Sequence, residues 1–563
     1  MDHFSDRRYL VSFDSALLPQ VFSDVLAIGA GVAGLRAALA AARHGSVLVV
    51  SKSPADDSNT AQAQGGIAAA MDPSDSASAH TADTLEAGHG VCDPEVVGMV
   101  TEEAAGRIEE LIGWGGTFDK EGSEIALARE GGHSVARIVH AMGDATGREV
   151  AETLLRKARE TPAIQILTGA FVLDLIVGED GACLGALVQD ERRGRMILWA
   201  KQTVLASGGA GRLFRETTNP SIATGDGAAM AYRAGAEVCD VEYYQFHPTA
   251  LYVAGASRAL ISEAVRGEGA FLVNGRQERF MPQYHERAEL APRDAVSRAI
   301  VSEIRETGHT CVYLDARHIA AAKFRARFPG ISDLCSRFDI DVSHDLIPVR
   351  PAAHYMIGGV RVSREGASSV PRLWACGEVA CTGLHGANRL GSNSLLEGLV
   401  VGYHAGDAAG RAAASEPGEA EHRRLKVAQK TGPEDIDVND VTNSLRATAW
   451  RSLGIERNRF RIEESIELMR FWGRYVYSRE FRTAPGWELQ NMLLVGRLLG
   501  EAALAREESR GVHFRTDFPE ADDERWRVRI VQKLGEPLRF VPVVRADDNS
   551  SPSEGNSDGA HTA

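Results

Sequence analysis

Two histidines and two arginines occur in short segments that are candidates for binding an anion. They are His247 in FHPT, Arg293 in APRD, His354 in AAHY and Arg389 in GANR. An arginine offers two parallel hydrogen bonds to a carboxylate and a histidine adds a directed donor, so a cluster of them suits a small dicarboxylate. Taken singly, each has a structural alternative, because lone histidines are mostly structural and Arg293 is followed by Asp294.

A glycine-rich turn near the N-terminus predicts a site for nucleotide phosphates. An apolar run, 24–28, precedes this turn, and an alanine-rich helical run, 35–44, follows it. In dinucleotide-binding folds such glycines make the turn, admit the pyrophosphate and let helix and strand pack closely, with the phosphates at the helix N-terminus. An ordinary tight turn is the alternative. The candidate residues are Gly29, Ala30, Gly31, Val32, Ala33 and Gly34.

The second apolar run, 47–50, decides between two dinucleotides. It ends in Ser51 and Lys52, where NAD-binding units carry an Asp or Glu that accepts hydrogen bonds from the ribose. The missing acid disfavours NAD. A flavin dinucleotide is therefore the better candidate, with Ser51 and Lys52 at the cofactor site.

Composition excludes several classes of protein. The 563 residues include 62 Lys and Arg against 77 Asp and Glu, a net charge of −15 that disfavours nucleic acid as a partner. No run of about 18 apolar residues predicts a membrane span, and the first residues lack the apolar centre of a secretory signal. The seven cysteines form no CxxC pair, which predicts no metal site and no disulfide framework and favours a reducing cytoplasm.

Changes in residue composition and in the strand-and-glycine pattern along the chain predict an α/β protein with several units. Strand-and-glycine segments at 24–34, 203–211 and 372–378 indicate one domain to which the chain returns twice. The Arg- and His-rich region between the last two segments predicts an inserted domain. The predicted units are an FAD-binding domain in two parts, 20–240 and 346–415, an inserted substrate domain, 241–345, a helical C-terminal domain, 430–540, and a disordered tail, 546–563.

Several motifs resemble those of the succinate dehydrogenase and fumarate reductase flavoproteins. Beside the glycine turn they are AQGGIAA at 63–69, TGDG at 224–227, FHPT at 246–249, RGEGA at 266–270, APRD at 291–294, AAHY at 352–355, GEVACTGLHGANRLGSNSLLE at 377–397 and SRGVHFRTDFP at 509–519. Each motif alone is modest evidence for this family, but all of them together, in this order, are specific for it. The resemblance implies a Rossmann-like FAD-binding domain with an inserted α+β capping domain and a helical C-terminal domain.

The resemblance also implies which residues hold FAD. It implies a polar loop along the flavin ring, two acceptors for ribose or ribityl hydroxyls, and a helix start whose dipole stabilises the reduced ring. A solvated loop and ordinary helix caps are the alternatives. Membrane-bound members carry a histidine at the position of Asn59 that binds FAD covalently, so non-covalent FAD is expected here. The residues are Ser58, Asn59, Thr60, Gln62, Gln64, Gly65 and Gly66 in the loop, Asp226 and Glu378 as acceptors, and Ser394 and Leu395 at the helix start.

For the substrate, the resemblance implies that a C4 dicarboxylate binds to the histidines and arginines introduced above. Ser262 adds a hydroxyl, with Ser392 as a further candidate. Arg293 is the family's proton-transfer residue, with Glu263 and Arg266 as a relay behind it. A guanidinium is hard to deprotonate, so the direction of proton transfer by Arg293 stays open.

Glu130 distinguishes between C4 acids. Succinate dehydrogenases that resemble this chain have an apolar Phe at this position. A carboxylate is unfavourable beside succinate but can pair with the α-ammonium of L-aspartate, while a polar loop residue is the alternative interpretation. The resemblance thus implies FAD-dependent oxidation of L-aspartate to iminoaspartate, with dioxygen as acceptor, giving hydrogen peroxide, or with fumarate.

Two other functions stay open at this point. One is a soluble fumarate reductase or succinate dehydrogenase flavoprotein subunit, which Asn59 and Glu130 disfavour. The other is a flavin-binding protein without turnover, which the complete set of histidines and arginines disfavours. The resemblance further implies a place in NAD biosynthesis, with iminoaspartate passing to quinolinate synthase, and no nucleic-acid or membrane partner.

Overall fold

The structure is a computed structural model that describes residues 4, 7–54, 56–254, 258–429 and 436–543. The tail predicted to be disordered, 546–563, lies outside the described residues. Among those described, no helix is long and apolar enough to cross a membrane. The α-helices are α1 (Val32–Ala41), α2 (Ala77–Ala87), α3 (Pro94–Gly113), α4 (Thr146–Arg159), α5 (Asp226–Arg233), α6 (Ala264–Gly267), α7 (Met281–Tyr284), α8 (Arg293–Thr307), α9 (Ala321–Arg327), α10 (Pro329–Ser336), α11 (Asn393–Ser415), α12 (Val438–Ser452), α13 (Arg459–Val476), α14 (Ala484–Ala505) and α15 (Asp523–Trp526).

The strands are short apart from those of the two larger sheets. They are β1 (Phe13–Asp14), β2 (Gln20–Ile28), β3 (Val47–Ser51), β4 (Ile67–Ala68), β5 (Lys120–Glu121), β6 (Glu124–Ile125), β7 (Leu127–Ala128), β8 (Ile138–Val139), β9 (Ile164–Thr168), β10 (Ala170–Val177), β11 (Cys183–Asp190), β12 (Gly194–Leu205), β13 (Val238–Cys239), β14 (Tyr244–Leu251), β15 (Phe271–Val273), β16 (Val312–Asp315), β17 (Ile347–Met356), β18 (Gly359–Arg361), β19 (Leu373–Ala375), β20 (Ala380–Cys381), β21 (Lys426–Val427), β22 (Val528–Gln532) and β23 (Arg539–Pro542).

A seven-stranded sheet carries the glycine turn. Its order is β10-β11-β12-β2-β3-β9, with β19 also paired to β12, and β2, β3, β9, β12 and β19 run parallel. Alternate residues of β2 face opposite layers, as a strand buried on both faces requires. Val25 and Ala27 pack in the core with α1, α3 and α11, while Leu26 and Ile28 pack in the core that contains α5. The carboxyl ends of β2 and β3 therefore open onto one edge.

An inserted unit forms a second, antiparallel sheet of four strands in the order β14-β17-β16-β15. Helices α6 to α10 share its apolar core. β14 carries His247 and β17 carries His354, and the two strands pair directly, with His247 opposite Ala352. The pairing of these two neighbouring strands brings the FHPT and AAHY motifs together.

The C-terminal unit contains three long helices, α12, α13 and α14, packed in one core with parts of the first sheet. Two strands follow these helices. β22 pairs with β13 and completes a five-stranded sheet of order β20-β18-β13-β22-β23. The chain after α14 therefore returns to the FAD-binding part of the molecule, an arrangement that the helical pattern did not predict.

A line of buried polar contacts connects these units. The guanidinium of Arg233 in α5 donates to Asp174 of β10 at 2.8 Å and to Asn491 of α14 at 2.8 Å. Asn491 in turn donates to Asp226 at 2.8 Å, and Lys52 donates to the other oxygen of Asp226 at 2.7 Å. Arg233 and Asp174 have fully buried side chains, so neither charge has water to replace a lost partner.

Asp174→Ala is expected to destabilise the protein because it leaves the Arg233 charge buried without its carboxylate. Breaking a buried pair in this way typically costs about 3 to 5 kcal/mol. The free energy of unfolding, measured by urea denaturation, checks this. Glu456→Ala is the matched control, since its partner Arg305 is 63% exposed and such pairs contribute at most about 1 kcal/mol. Equal effects of the two changes would contradict the prediction.

Candidate active site

One cavity, lined by residues of the seven-stranded sheet, of the four-stranded sheet and of the start of α11, contains both groups of predicted site residues. From the predicted cofactor residues it is lined by Gly29, Ala30, Gly31, Val32, Ala33, Ser51, Lys52, Ser58, Asn59, Thr60, Gln62, Gln64, Gly65, Gly66, Asp226, Glu378, Ser394 and Leu395. From the predicted substrate residues it is lined by Glu130, His247, Ser262, Glu263, Arg293, His354, Arg389 and Ser392. Gly34 instead packs behind the turn, where an added Cβ would lie 2.0 Å from the Gly29 carbonyl oxygen.

The glycine turn has the geometry of a phosphate site. Gly29 has φ +116°, and a Cβ there would lie 2.1 Å from the carbonyl oxygen of Ala206, so only glycine fits. Helix α1 starts after Gly31 without a side-chain cap. Thr60 accepts one N–H of the first turn, from Val32 at 3.0 Å, and the helix N-terminus faces the cavity, as anion binding requires.

Two partly buried carboxylates line the cavity beside this turn. Glu378 accepts from the Met356 backbone N–H and from the Asn59 amide, each at 3.0 Å, and burial raises the pKa of Glu378. Asp226 accepts from Lys52 at 2.7 Å. Burial alone would lower the pKa of Lys52, but the Asp226 and Glu488 carboxylates outweigh it and raise that pKa. The lysine that follows β3 is thus tied to an acid supplied by α5.

Unpaired polar atoms mark the rest of the cofactor end. Gln64 Oε1 and Ser207 Oγ are buried without a hydrogen-bond partner. Helix α11 begins after Ser392, which has φ +62° and makes no side-chain cap, so its first N–H groups also face the cavity. Two uncapped helix starts, a glycine turn and buried acceptors fit a flavin dinucleotide, whose phosphates and reduced ring carry negative charge.

Two arginines form the centre of the substrate end. Arg293 Nη1 and the Nε and Nη2 atoms of Arg389 all donate to Gln245 Oε1, at 3.1, 3.2 and 3.0 Å. The Gln245 amide nitrogen donates back to the Arg389 carbonyl at 2.7 Å. Burial, followed by the charge of Arg293, lowers the pKa of Arg389 to about 10, so the Arg389 guanidinium is still charged at neutral pH.

Sequence reasoning missed two residues of this centre. Gln245 stands two residues before His247, and Tyr355 is the last residue of AAHY. The Tyr355 ring lies 4.5 Å from the Arg389 guanidinium carbon, and its hydroxyl donates to Glu397 at 2.8 Å. Their position inside matched motifs was the available signal, but neither residue type by itself indicates anion binding.

The two histidines are neutral donors rather than cations. Burial, with the charges of nearby arginines, lowers the pKa of His247 and of His354 well below the usual value. The Thr249 N–H donates to His247 Nδ1 at 3.2 Å, so the proton of neutral His247 is on Nε2, which is buried without a partner. His354 Nδ1 lies 2.9 Å from the Thr218 hydroxyl. Only the arginines therefore bring positive charge.

Behind Arg293 the predicted relay is contiguous. Arg293 Nε donates to Glu263 Oε2 at 2.7 Å, and Arg266 lies 3.3 Å from Glu263 Oε1. Burial alone would raise the pKa of Glu263, but the charges of Arg293 and Arg266 outweigh it and lower that pKa. Glu263 is consequently a carboxylate that holds two guanidinium groups.

Glu130 lies between the cofactor and substrate ends. It is 3% exposed, and its Oε2 accepts from the Ser392 hydroxyl at 2.8 Å. Its Oε1 is buried without a hydrogen-bond partner. This oxygen is close to Gly65 of the flavin loop, since a Cβ added to Gly65 would lie 3.9 Å from it. Burial and then the charge of Glu263 raise the pKa of Glu130. Glu130 Oε1 is thus an acceptor that is available for a hydrogen bond from an N–H group of a ligand.

The fold and the cavity define a dinucleotide-binding flavoprotein. Residues 24–395 match the family model described as FAD binding domain, and residues 480–541 match the one described as fumarate reductase flavoprotein C-term. Among solved structures, the quinol fumarate reductase of E. coli has 29% identity and a TM-score of 0.86, covering 96% of this chain and 100% of that one. Sdh1 of Mycobacterium smegmatis has 32% identity and a TM-score of 0.80, covering 94% and 95%.

Curated sequences give a closer relationship. The L-aspartate oxidase of Streptomyces coelicolor is 41% identical over 94% of this chain and 95% of its own length. L-aspartate oxidase 1 of Ralstonia nicotianae is 43% identical, covering 88% and 96%, and the chloroplastic enzyme of Arabidopsis thaliana is 41% identical, covering 90% and 82%. This chain belongs to the L-aspartate oxidase family, whose cofactor is FAD.

Gln245→Leu is expected to weaken the binding of every dicarboxylate, because it removes the acceptor that the two guanidinium groups share. Affinity for succinate should fall about 10- to 100-fold, as loss of hydrogen bonds to charged groups predicts. Titration followed by the change in flavin absorbance checks this. Gln189→Leu, at a half-buried strand position that does not line the cavity, is the matched control. An unchanged affinity in Gln245→Leu would exclude this role.

Proposed function

We propose that this flavoprotein oxidises L-aspartate to iminoaspartate in the cavity described above. The observation that carries the proposal is the unpaired, buried Oε1 of Glu130 beside the flavin loop. An α-ammonium supplies the hydrogen-bond donor that this oxygen lacks, and succinate or fumarate does not. The names of the relatives at 41% to 43% identity support the same substrate.

The two carboxylates of the substrate bind to the arginines and histidines. Arg293 and Arg389 supply positive charge, and His247 supplies a neutral Nε2–H donor. His354 and the Ser262 hydroxyl line the same end of the cavity. Holding both carboxylates leaves the substrate little rotational freedom, so C2 can be directed at the cofactor.

Glu130 fixes the remaining substituent of C2. With the ammonium on Glu130 and both carboxylates held, the C2–H bond is the one that points to the flavin end of the cavity. When bound, FAD accepts a hydride from C2 and passes the electrons to dioxygen or to fumarate. Arg293 then serves as a clamp during aspartate oxidation and as a proton donor toward fumarate, with Glu263 and Arg266 behind it.

The cellular setting is part of the proposal. Iminoaspartate is an unstable imine, so we expect quinolinate synthase to consume it in NAD biosynthesis. All seven cysteines are buried thiols, which supports a reducing cytoplasm as the location. Detection of quinolinate when this enzyme, L-aspartate and quinolinate synthase with its other substrate are combined tests the link.

A soluble fumarate reductase or succinate dehydrogenase flavoprotein subunit is the second candidate function. The structural likeness to quinol fumarate reductase favours it. Asn59 disfavours it, because this amide stands where membrane-bound members carry the flavin-linked histidine, and it donates to Glu378 at 3.0 Å. The charge of Glu130 also disfavours it, since a further carboxylate repels a bound dianion.

Anaerobic titration of the yellow protein with L-aspartate, and separately with succinate, separates the two functions. We expect L-aspartate to bleach the long-wavelength flavin band, and admission of air to restore it with formation of hydrogen peroxide. Bleaching by succinate alone would overturn the aspartate proposal and assign the chain to the dehydrogenases.

Glu130→Gln is expected to affect the two substrates differently. It keeps the shape of the side chain but removes the charge that pairs with the ammonium, so kcat/KM for L-aspartate should fall about 10- to 100-fold. Fumarate has no ammonium, and its reduction should change far less. Steady-state kinetics with both substrates check this, with Glu124→Gln, an exposed glutamate of the same segment, as control. Equal losses with both substrates would remove the pairing role.

A further inference from the structure

His140 lies directly behind Glu130 and takes no part in the function described so far. Its side chain is buried, and its Nε2 is 3.9 Å from Glu130 Oε1. Both ring nitrogens of His140 are buried without a hydrogen-bond partner. Such a group is expensive to bury, so this pair of unpaired atoms, Nε2 and Oε1, calls for a functional explanation.

The small sheet of order β4-β8-β7 holds the two residues together. β4 follows the flavin loop that ends at Gly66, β7 leads into Glu130, and β8 ends immediately before His140. The His140 carbonyl also accepts the Asp119 N–H at 2.8 Å, which fixes the backbone at this point. The imidazole is thereby held against Glu130 and is not among the residues that line the cavity.

Oxidation of an amine at C2 needs the nitrogen lone pair to be free. L-aspartate binds as an ammonium, and the positive charges of Arg293 and Arg389 beside it favour loss of a proton from nitrogen. Glu130 is the carboxylate within reach of the ammonium, but a buried carboxylate with an unpaired oxygen is poorly stabilised. Oε1 has two lone pairs, so it can accept one hydrogen bond from the ammonium and a second from a donor on its other side. This second donor is needed before Glu130 can act as a base.

We propose that Glu130 takes a proton from the α-ammonium of L-aspartate, and that His140 is the positioning residue that keeps Glu130 ionised for this step. In the loaded site the two atoms, 3.9 Å apart in this structure, approach to hydrogen-bond distance, and His140 donates Nε2–H to Oε1. The inference rests on the proposed function. One N–H bond of the ammonium breaks, an O–H bond forms on Glu130, and the electron pair stays on nitrogen. The hydride then leaves C2 with its electron pair for bound FAD, while the nitrogen lone pair forms the C=N bond of the protonated imine.

The charges around the pair support this division of roles. Glu130 is faced by Glu263 from the start of α6, by Arg293 of α8, and by Arg389 and the Ser392 hydroxyl from the segment before α11. His140 is faced by Arg327 of α9, and burial and this charge lower the pKa of His140 to about 3. His140 thus stays neutral at working pH and acts as a hydrogen-bond donor, whereas Glu130 is the group that changes charge.

The first test reads the protonation of Glu130 without turnover. The infrared band of its protonated carboxyl is identified in the FAD-loaded protein as the band missing from Glu130→Gln. In His140→Leu the carboxylate loses its donor, so the band should persist to a pH about one unit higher, as loss of a stabilising hydrogen bond predicts. His140→Asn, which keeps an N–H donor, should restore the midpoint, and His44→Leu, at a histidine paired with Asp407, should not move it.

The second test uses the two substrates. Because fumarate carries no ammonium, the ratio of kcat for L-aspartate to kcat for fumarate should fall about tenfold in His140→Leu, with the acidic limb of the aspartate pH profile moved upward by the same amount. An unmoved infrared midpoint, or equal losses with both substrates, would overturn the inference and leave His140 a structural residue. If the unmodified protein oxidises no L-aspartate, the proposed function fails, while the infrared midpoint still decides whether His140 controls Glu130.

Discussion

Two positive charges buried side by side are the constraint on which this active site depends. Arg293 and Arg389 repel each other in a region with little water, and both approach the same amide oxygen, that of Gln245. Glu263 neutralises one of them, and the face of the Tyr355 ring supports the other. These partners come from β14, from β17 and from the residue before α6, so the four-stranded sheet must be in place for the charges to be held.

The same constraint explains the state of the surrounding residues. Burial, and then the two neighbouring cations, make a third positive charge unfavourable, so His247 and His354 are neutral and recognise a carboxylate only by donating hydrogen bonds. For Glu130, burial and then the charge of Glu263 favour the protonated form. The anion-binding site thus contains one acid, Glu130, that can change its protonation state. A substrate with an ammonium group can pair with Glu130 when it is ionised.

Much of the site could be predicted from sequence because its residues stand where strands or helices begin or end. Gly29 follows β2, Arg293 begins α8, and such positions are readable from local pattern. Residues whose role depends on a contact made only in the folded protein could not be predicted from the sequence. The role of Gln245 depends on Arg389, which lies more than a hundred residues further along the chain. The role of His140 depends on Glu130, which follows β7 and contacts His140 only in the folded protein. The break between β9 and β10 at Gly169, where φ is +72°, was not predicted either. The same holds for β22 and β23, which pair with each other, while β22 also pairs with β13.

The contact of α14 with the cofactor end has a consequence for how long a flavin stays bound. Lys52 donates to Glu488 of α14 at 2.8 Å as well as to Asp226, and Asn491 of the same helix donates to Asp226. Because Asp226 is predicted to accept hydrogen bonds from the cofactor's hydroxyls, we expect release of that end of the cofactor to require local detachment of α14. Cofactor exchange and partial opening of the C-terminal unit would then be one linked equilibrium, in which excess FAD protects that unit from proteolysis and detachment of α14 releases the flavin.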